Sequence, residues 1–216
     1  MNFIFISPNF PKTYWNFCRC LKQNGVRVLG IGDAPYELLE DNLKHSLQEY
    51  YKVSSLENYD EVYKACAFFA FRYGRIDWIE SNNEYWLMQD AQLRTDFNVT
   101  SGVRNEAISF IKYKSQMKAL YEKAGIRTAR WHLVSDREAG LAFVEQTGYP
   151  VVVKPDNGVG ANATYKLENE EQLHLLQKVG CDYLQGFLVS PPLSEDEHRS
   201  FVKEELHGGE SEIRQI

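Results

Sequence analysis

Short apolar runs alternate with amphipathic stretches along the first hundred residues. Residues 2–7 alternate loosely and predict a first strand, followed by a helix over about residues 13–24 that Gly25 ends as a natural C′ residue. Residues 26–31 predict a second strand and residues 50–53 a short third. Ser54-x-x-Glu57 has the form of a capping box opening a helix to about Tyr73, with Tyr59, Val62, Tyr63, Cys66, Phe69, Ala70 and Tyr73 at helical spacing. Gly74 ends it. A fourth strand over residues 76–80 and a helix over 84–97 complete a strand–helix alternation, which predicts a parallel sheet with helices on both faces.

A linker near residues 98–104 leads into a helix predicted over about 106–124, with an apolar stripe of Phe110, Tyr113, Met117, Leu120, Tyr121 and Ala124. Lys114 borders that stripe. On its own it reads as a lysine whose stem lies on the core while its head stays in water. Residues 127–134 read as extended, and Ser135-x-x-Glu138 predicts a second capping box and a helix to Gly148. There follows the most informative stretch, residues 149–160, with the sequence YPVVVKPDNGVG. Three valines in a row fit a strand covered on both faces, and Lys154 closes the run at the head of a loop that cannot continue regular structure. Gly158 and Gly160 are expected to allow positive φ and close backbone approach, so that successive N–H groups converge on an anion such as a nucleotide phosphate. An ordinary turn is the plain alternative, since the loop matches neither common phosphate fingerprint. A return strand over residues 163–167 would make the loop a flap.

Composition narrows the function classes. A chain of 216 residues with 44% hydrophobic content fits one large domain or two small ones. A net charge of −6 offers no electrostatic footprint for nucleic acid or an anionic membrane. The N-terminus lacks a basic segment before its short apolar run, and no apolar stretch approaches the roughly 20 residues that span a bilayer, so a cytoplasmic protein is expected. Cys18, Cys20, Cys66 and Cys181 read as reduced thiols, and Cys18 and Cys20, two apart on a helix, diverge too far to clamp a metal. Residues 7–11 carry no glycine fingerprint after the first strand, which removes support for a nicotinamide or flavin cofactor. The Gly30-Ile31-Gly32-Asp33 segment is a weak candidate for a phosphate turn, interrupted by Pro35.

The segment YPVVVKPDNGVGANATYKL, preceded by KYKSQMKALYEKAGIRTARWHLV, resembles the nucleotide-binding part of the ATP-grasp superfamily, which includes biotin carboxylase and carbamoyl phosphate synthetase. The resemblance covers about residues 1–173 in layout. In that family one lysine sits near a helix start in a pattern like DKxxxK and a second ends the strand before a glycine-rich loop, both contacting ATP phosphates. Lys114 and Lys154 match these positions, with Tyr113 where the family usually has Asp and two loop glycines where many members have four or five. The resemblance implies ATP contacts at Lys114, Lys154, Asp156, Gly158 and Gly160. The implied fold is α/β: a Rossmann-like parallel-sheet domain over 1–98, a first ATP-grasp subdomain over 99–173, here truncated, and a poorly structured tail over 174–216.

Residues 168–203 resemble a different family. Gly180, Cys181, Asp182, Gln185, Gly186, Phe187, Pro191, Pro192 and Leu193 fit the final strand of an EAL domain, the cyclic di-GMP phosphodiesterase barrel, at matching spacing. Gln185 is its one carried-over functional residue. The EAL signature and nearly all of the barrel are absent, so phosphodiesterase activity is not expected, and a chimeric junction near residues 168–173 is. By resemblance, the chain is an ATP-dependent ligase joining an unidentified carboxylate to an amine through an acylphosphate, impaired by truncation. A non-enzymatic nucleotide-binding fragment and a cyclic di-GMP-related hybrid are the alternatives. Magnesium is implied as a cofactor with ATP, but its ligands are not found in this chain: Glu204, Glu205, Glu210 and Glu212 lie in a charged tail expected to stay solvated. Oligomeric state is not read from the sequence.

Overall fold

The computed structural model describes residues 1–158, 163–169 and the backbone of 183–186. The chain divides into two compact units, Met1–Leu120 and Tyr121–Ile216. The first unit is built on a parallel sheet of β1 (Asn2–Ile6), β2 (Arg27–Gly32), β3 (Glu49–Lys52) and β4 (Trp78–Glu80) in the order β3-β2-β1-β4. β1 lies centrally, with Phe3 opposite Val28 on one side and opposite Trp78 on the other. All five of its residues are buried.

The period-2 geometry of a strand sends those residues to two different cores. Phe3 and Phe5 join Val28, Cys18 and Leu43, which puts α1 (Trp15–Gln23) and α2 (Asp41–Ser46) on one face. Ile4 and Ile6 join Leu29, Ile31, Val62, Cys66, Phe69, Ile79 and Leu93, which puts α3 (Tyr59–Tyr73) and α4 (Leu87–Asp96) on the other. The expected parallel sheet with helices on both faces is therefore what forms. Burial of Cys18 while Cys20 stays exposed on the same helix agrees with their predicted divergence.

Four local expectations need correction. α3 begins at Tyr59 rather than near Ser54, because Asn58 is the cap: its side chain accepts from Glu61 N, and its amide donates to Glu61 Oε1 at 3.1 Å. Ser54 also reaches Glu61, through its backbone N–H at 2.6 Å, while Glu57 accepts from Tyr85 Oη at 2.9 Å. Residues 54–58 are thus a turn that seats buried Leu56 in the core. The helix predicted over 106–124 is two helices, α5 (Asn105–Lys112) and α6 (Lys114–Lys123), separated by Tyr113 at φ −94°, ψ 121°. No proline or glycine marks that break. It coincides with the inward Lys112 side chain, whose Nζ donates to the Glu84 carbonyl at 3.0 Å, a tertiary bond that local propensity does not contain.

Third, Asp136 rather than Ser135 caps α7 (Arg137–Thr147), accepting from Ala139 N at 2.8 Å. That bond, followed by one from Ser135, holds the Asp136 carboxyl below its ordinary range. Finally, Gly30 and Gly32 lie inside β2, not in a turn after it. A Cβ at Gly32 would stand 2.5 Å from Tyr50 Oη, and one at Gly30 would stand 2.9 Å from Leu47 Cδ1. These glycines make room for Tyr50, whose hydroxyl donates to the Ala34 carbonyl at 2.8 Å.

The second unit carries a mixed-connection sheet in the order β5-β8-β6-β7, from β5 (Trp131–Leu133), β6 (Val151–Val153), β7 (Tyr165–Leu167) and β8 (Tyr183–Gly186), with every described pairing antiparallel. Val151, Val153 and Leu167 pack with Val144 of α7 in a small core of their own. β8 comes from the segment that resembles the EAL end, and it pairs with both β5 and β6. Among the described residues no helix is long and apolar enough to cross a membrane.

Candidate nucleotide site

The strand β6 positions the most telling residue. Val151 and Val153 point into the core while Val152, half-buried, takes the other face, so the chain leaves the sheet at Lys154 with its direction set on both sides. Val153 pairs with Tyr165 of β7 and with Leu184 of β8, which makes β6 an interior strand of its sheet. Lys154, Pro155 and Asp156 are half-buried, and Asp156 and Asn157 lie in the turn that follows. Lys154, Asp156 and Gly158 each take part in further contacts.

Gly158 differs from expectation. Its φ is not in the left-handed region; a Cβ there would stand 3.2 Å from Pro155 Cβ and 3.3 Å from Pro155 Cγ. Close packing on the proline ring, rather than positive φ, is what asks for a small residue at this position. Gly160 lies outside the described residues. The return strand predicted over 163–167 is β7, shorter by two residues, and it pairs antiparallel with β6.

Lys114 belongs to the first unit. It opens α6 immediately after the extended Tyr113 and is half-buried, beside buried Ser115. The carbonyl of Tyr113 accepts from Met117 N at 3.0 Å, so Tyr113 serves the start of α6 as a cap would. Lys114 takes part in further polar or electrostatic contacts. The apolar stripe predicted around it is not a buried one: Phe110, Leu120 and Tyr121 are exposed, and Ile108 is the buried anchor of α5. Sequence reasoning did not single out Lys112, the buried lysine next to the break, although the Lys-Tyr-Lys spacing put it in view.

Among the described residues no group of three or more His, Cys, Asp or Glu side chains is placed to hold a metal ion, and Glu204, Glu205, Glu210 and Glu212 lie outside the described residues. Of the residues matched to the EAL end, Gln185 and Gly186 lie in β8, described as backbone only, with Gln185 in register between Trp131 and Val152. Gly180, Cys181, Asp182, Phe187, Pro191, Pro192 and Leu193 lie outside the described residues.

Residues 113–185 match the family profile described as the carbamoyl-phosphate synthase L chain, ATP binding domain. The match begins at the break before Lys114, spans β6 and its loop, and runs into β8, past the end expected near residue 173. The chain is 34% identical over 82 residues to the carbamoyl phosphate synthase large chain of Micrococcus luteus, covering 38% of this chain and 7% of that protein. It is 39% identical over 77 residues to D-alanine–D-alanine ligase B of Clostridium perfringens, covering 35% of this chain and 26% of the ligase. The biotin carboxylase domain of Hydrogenobacter thermophilus 2-oxoglutarate carboxylase, solved with MgADP, ADP and bicarbonate, shares the fold at a TM-score of 0.69 and 19% identity, over 86% of this chain and 44% of that one. The chain thus spans less than half the length of each of these proteins. Over residues 113–185, which include Lys114 and Lys154, the chain is thus similar to an ATP-binding domain of carbamoyl-phosphate synthase, and it shares the fold of a biotin carboxylase domain.

Proposed function

We propose that the chain binds ATP, with Lys114 and Lys154 contacting the phosphates and Asp156, Gly158 and Gly160 forming the loop around them. The observation that carries this reading is Lys154 at the end of the triple-valine strand β6, at the head of a proline- and glycine-containing turn, inside the segment matched to an ATP-binding domain. A lysine ammonium supplies a compact charge against phosphate oxygens, and a strand paired along both edges holds its backbone still. Sparse side chains after it let the loop backbone approach a phosphate.

The reaction class proposed is ATP-dependent ligation of a carboxylate to an amine or a related nucleophile. In it, a carboxylate oxygen attacks the γ-phosphorus, the bond to the bridging oxygen breaks, and ADP leaves with that electron pair. The nucleophile then attacks the acyl carbon and inorganic phosphate departs. Two lysine ammoniums would offset the phosphate charge and the charge that builds during transfer.

Calorimetric titration with ATP in the presence of magnesium tests the reading on the wild type, Lys114→Ala and Lys154→Ala. Loss of affinity by roughly tenfold or more in each variant is expected, in line with the strength of charge-assisted contacts. No heat from the wild type, or equal affinity in all three proteins, would sink the assignment. Phosphate release across a panel of carboxylates and amines then separates a ligase from a nucleotide-binding module without turnover.

A further inference from the structure

Where β4 meets α4, the first unit buries a carboxyl that the nucleotide site does not use. Asp90 is 0% exposed. Its Oδ2 accepts from Ser81 Oγ at 2.6 Å and from Ser81 N at 3.1 Å, whereas its Oδ1 is buried with no hydrogen-bond partner. An ionised carboxylate asks for acceptor contacts on both oxygens, and a half-satisfied buried anion is strongly disfavoured. A neutral carboxyl fits this pocket better.

The groups facing Asp90 come from each element packed around it: Glu80 and Ser81 at the end of β4, Arg94 one turn along α4, and Cys66 on α3. Arg94 is already committed elsewhere. Its Nη2 meets Glu80 Oε2 at 2.8 Å, its Nε donates to the Ile79 carbonyl at 2.8 Å, and its Nη1 donates to the Val103 carbonyl at 2.9 Å. The linker of residues 98–104 lies directly on this guanidinium: a Cβ at Gly102, which has φ +84°, would stand 2.9 Å from Arg94 Nε. Arg94 therefore clamps the linker to β4, and α5, which begins at its end, packs on α4.

We infer that Asp90 and Arg94 form a proton-operated latch on the 98–104 linker. With the Asp90 carboxyl neutral, Arg94 is left to hold Glu80, Ile79 and Val103. Release of the Asp90 proton to solvent sets a second anion beside Glu80, draws on the same guanidinium and loosens the clamp. Removal from water is the largest influence on Asp90 and pushes it up; the Ser81 hydroxyl opposes, the Glu80 charge adds, Arg94 subtracts, and the carboxyl stands at about 7 against an ordinary 3.8. The folded chain then binds the proton more tightly than the unfolded one. The latch's contribution to stability is full below about pH 4 and is lost as pH rises to about 7.

The test is urea unfolding of the full chain between pH 5 and pH 8, on the wild type and on Asp90→Asn. Relative to the variant, the wild type should lose folded-to-unfolded ratio by on the order of a hundredfold over that range. Tryptic cleavage after Arg104, at the end of the linker, should accelerate with pH in the wild type relative to the variant. Parallel pH dependence in the two proteins would overturn the latch. If Asp90→Asn does not fold, infrared spectra of the wild type labelled with ¹³C-aspartate decide: a protonated carboxyl band at pH 6 that disappears by pH 8.5 supports the latch, and its absence at pH 6 overturns it.

Discussion

Arg94 holds Glu80 at 2.8 Å from a position only 3% exposed, so an ion pair at the edge of the first sheet is made from inside the core. Removing the guanidinium leaves the Glu80 carboxylate without its counter-charge and the Ile79 and Val103 carbonyls without their donor. Arg94→Ala is expected to cost roughly 3–5 kcal/mol, as for other broken buried pairs. Chemical denaturation measures it. A loss under about 1 kcal/mol would mean the pair behaves as a surface ion pair.

Gly32 and Tyr50 give a second expectation. Gly32→Ala would drive a methyl group into the Tyr50 hydroxyl and cost about 1–3 kcal/mol, as overpacking does. In a Tyr50→Leu background the same substitution should cost much less, and a double-mutant cycle reads the difference. Equal costs in both backgrounds would show that Gly32 is needed for another reason.

The same tyrosine should titrate late. Burial first, then the nearby Asp33 charge, raise its hydroxyl to about 12. The folded state thus keeps the phenolic proton more tightly than the unfolded chain. Stability from this group is present below about pH 10 and fades as pH rises toward 12. Ultraviolet difference titration of the wild type against Tyr50→Phe isolates it; a midpoint at the ordinary tyrosine value would contradict the burial.

The cap of α3 separates two neighbouring motifs. Asn58→Ala should destabilise by about 1 kcal/mol, the usual worth of an N-cap, while Glu57→Ala, at an exposed position, should stay within about 0.5 kcal/mol. The reverse order would restore the Ser54–Glu57 box as the cap.

Much of the first unit was legible in the chain because strand and helix periods are local. The alternation over residues 2–97 yields the parallel sheet, and the spacing of Val62, Cys66 and Phe69 marks the face that α3 buries. Where two local signals competed, spacing could not choose: Ser54-x-x-Glu57 and Asn58-x-x-Glu61 have the same form, and burial of Leu56 decides between them. Gly-Ile-Gly looks like a turn until Tyr50 arrives from the neighbouring strand to fill the space above it.

The candidate site divides in the same way. The sequence alone determined that Lys154 closes an apolar strand and that a loop poor in side chains follows, since both depend only on adjacent residues. It also placed Lys114 near a helix start, but within a single long helix. Tertiary structure decided that the helix breaks at Tyr113, where buried Lys112 reaches the Glu84 carbonyl, and that Gly158 is set by contact with Pro155 instead of by its φ. It also decided that residues 183–186, which read as foreign to the fold, add a strand beside β6. Each of these rests on partners distant in sequence or on packing against a neighbour, and neither periodicity nor motif spacing carries that information.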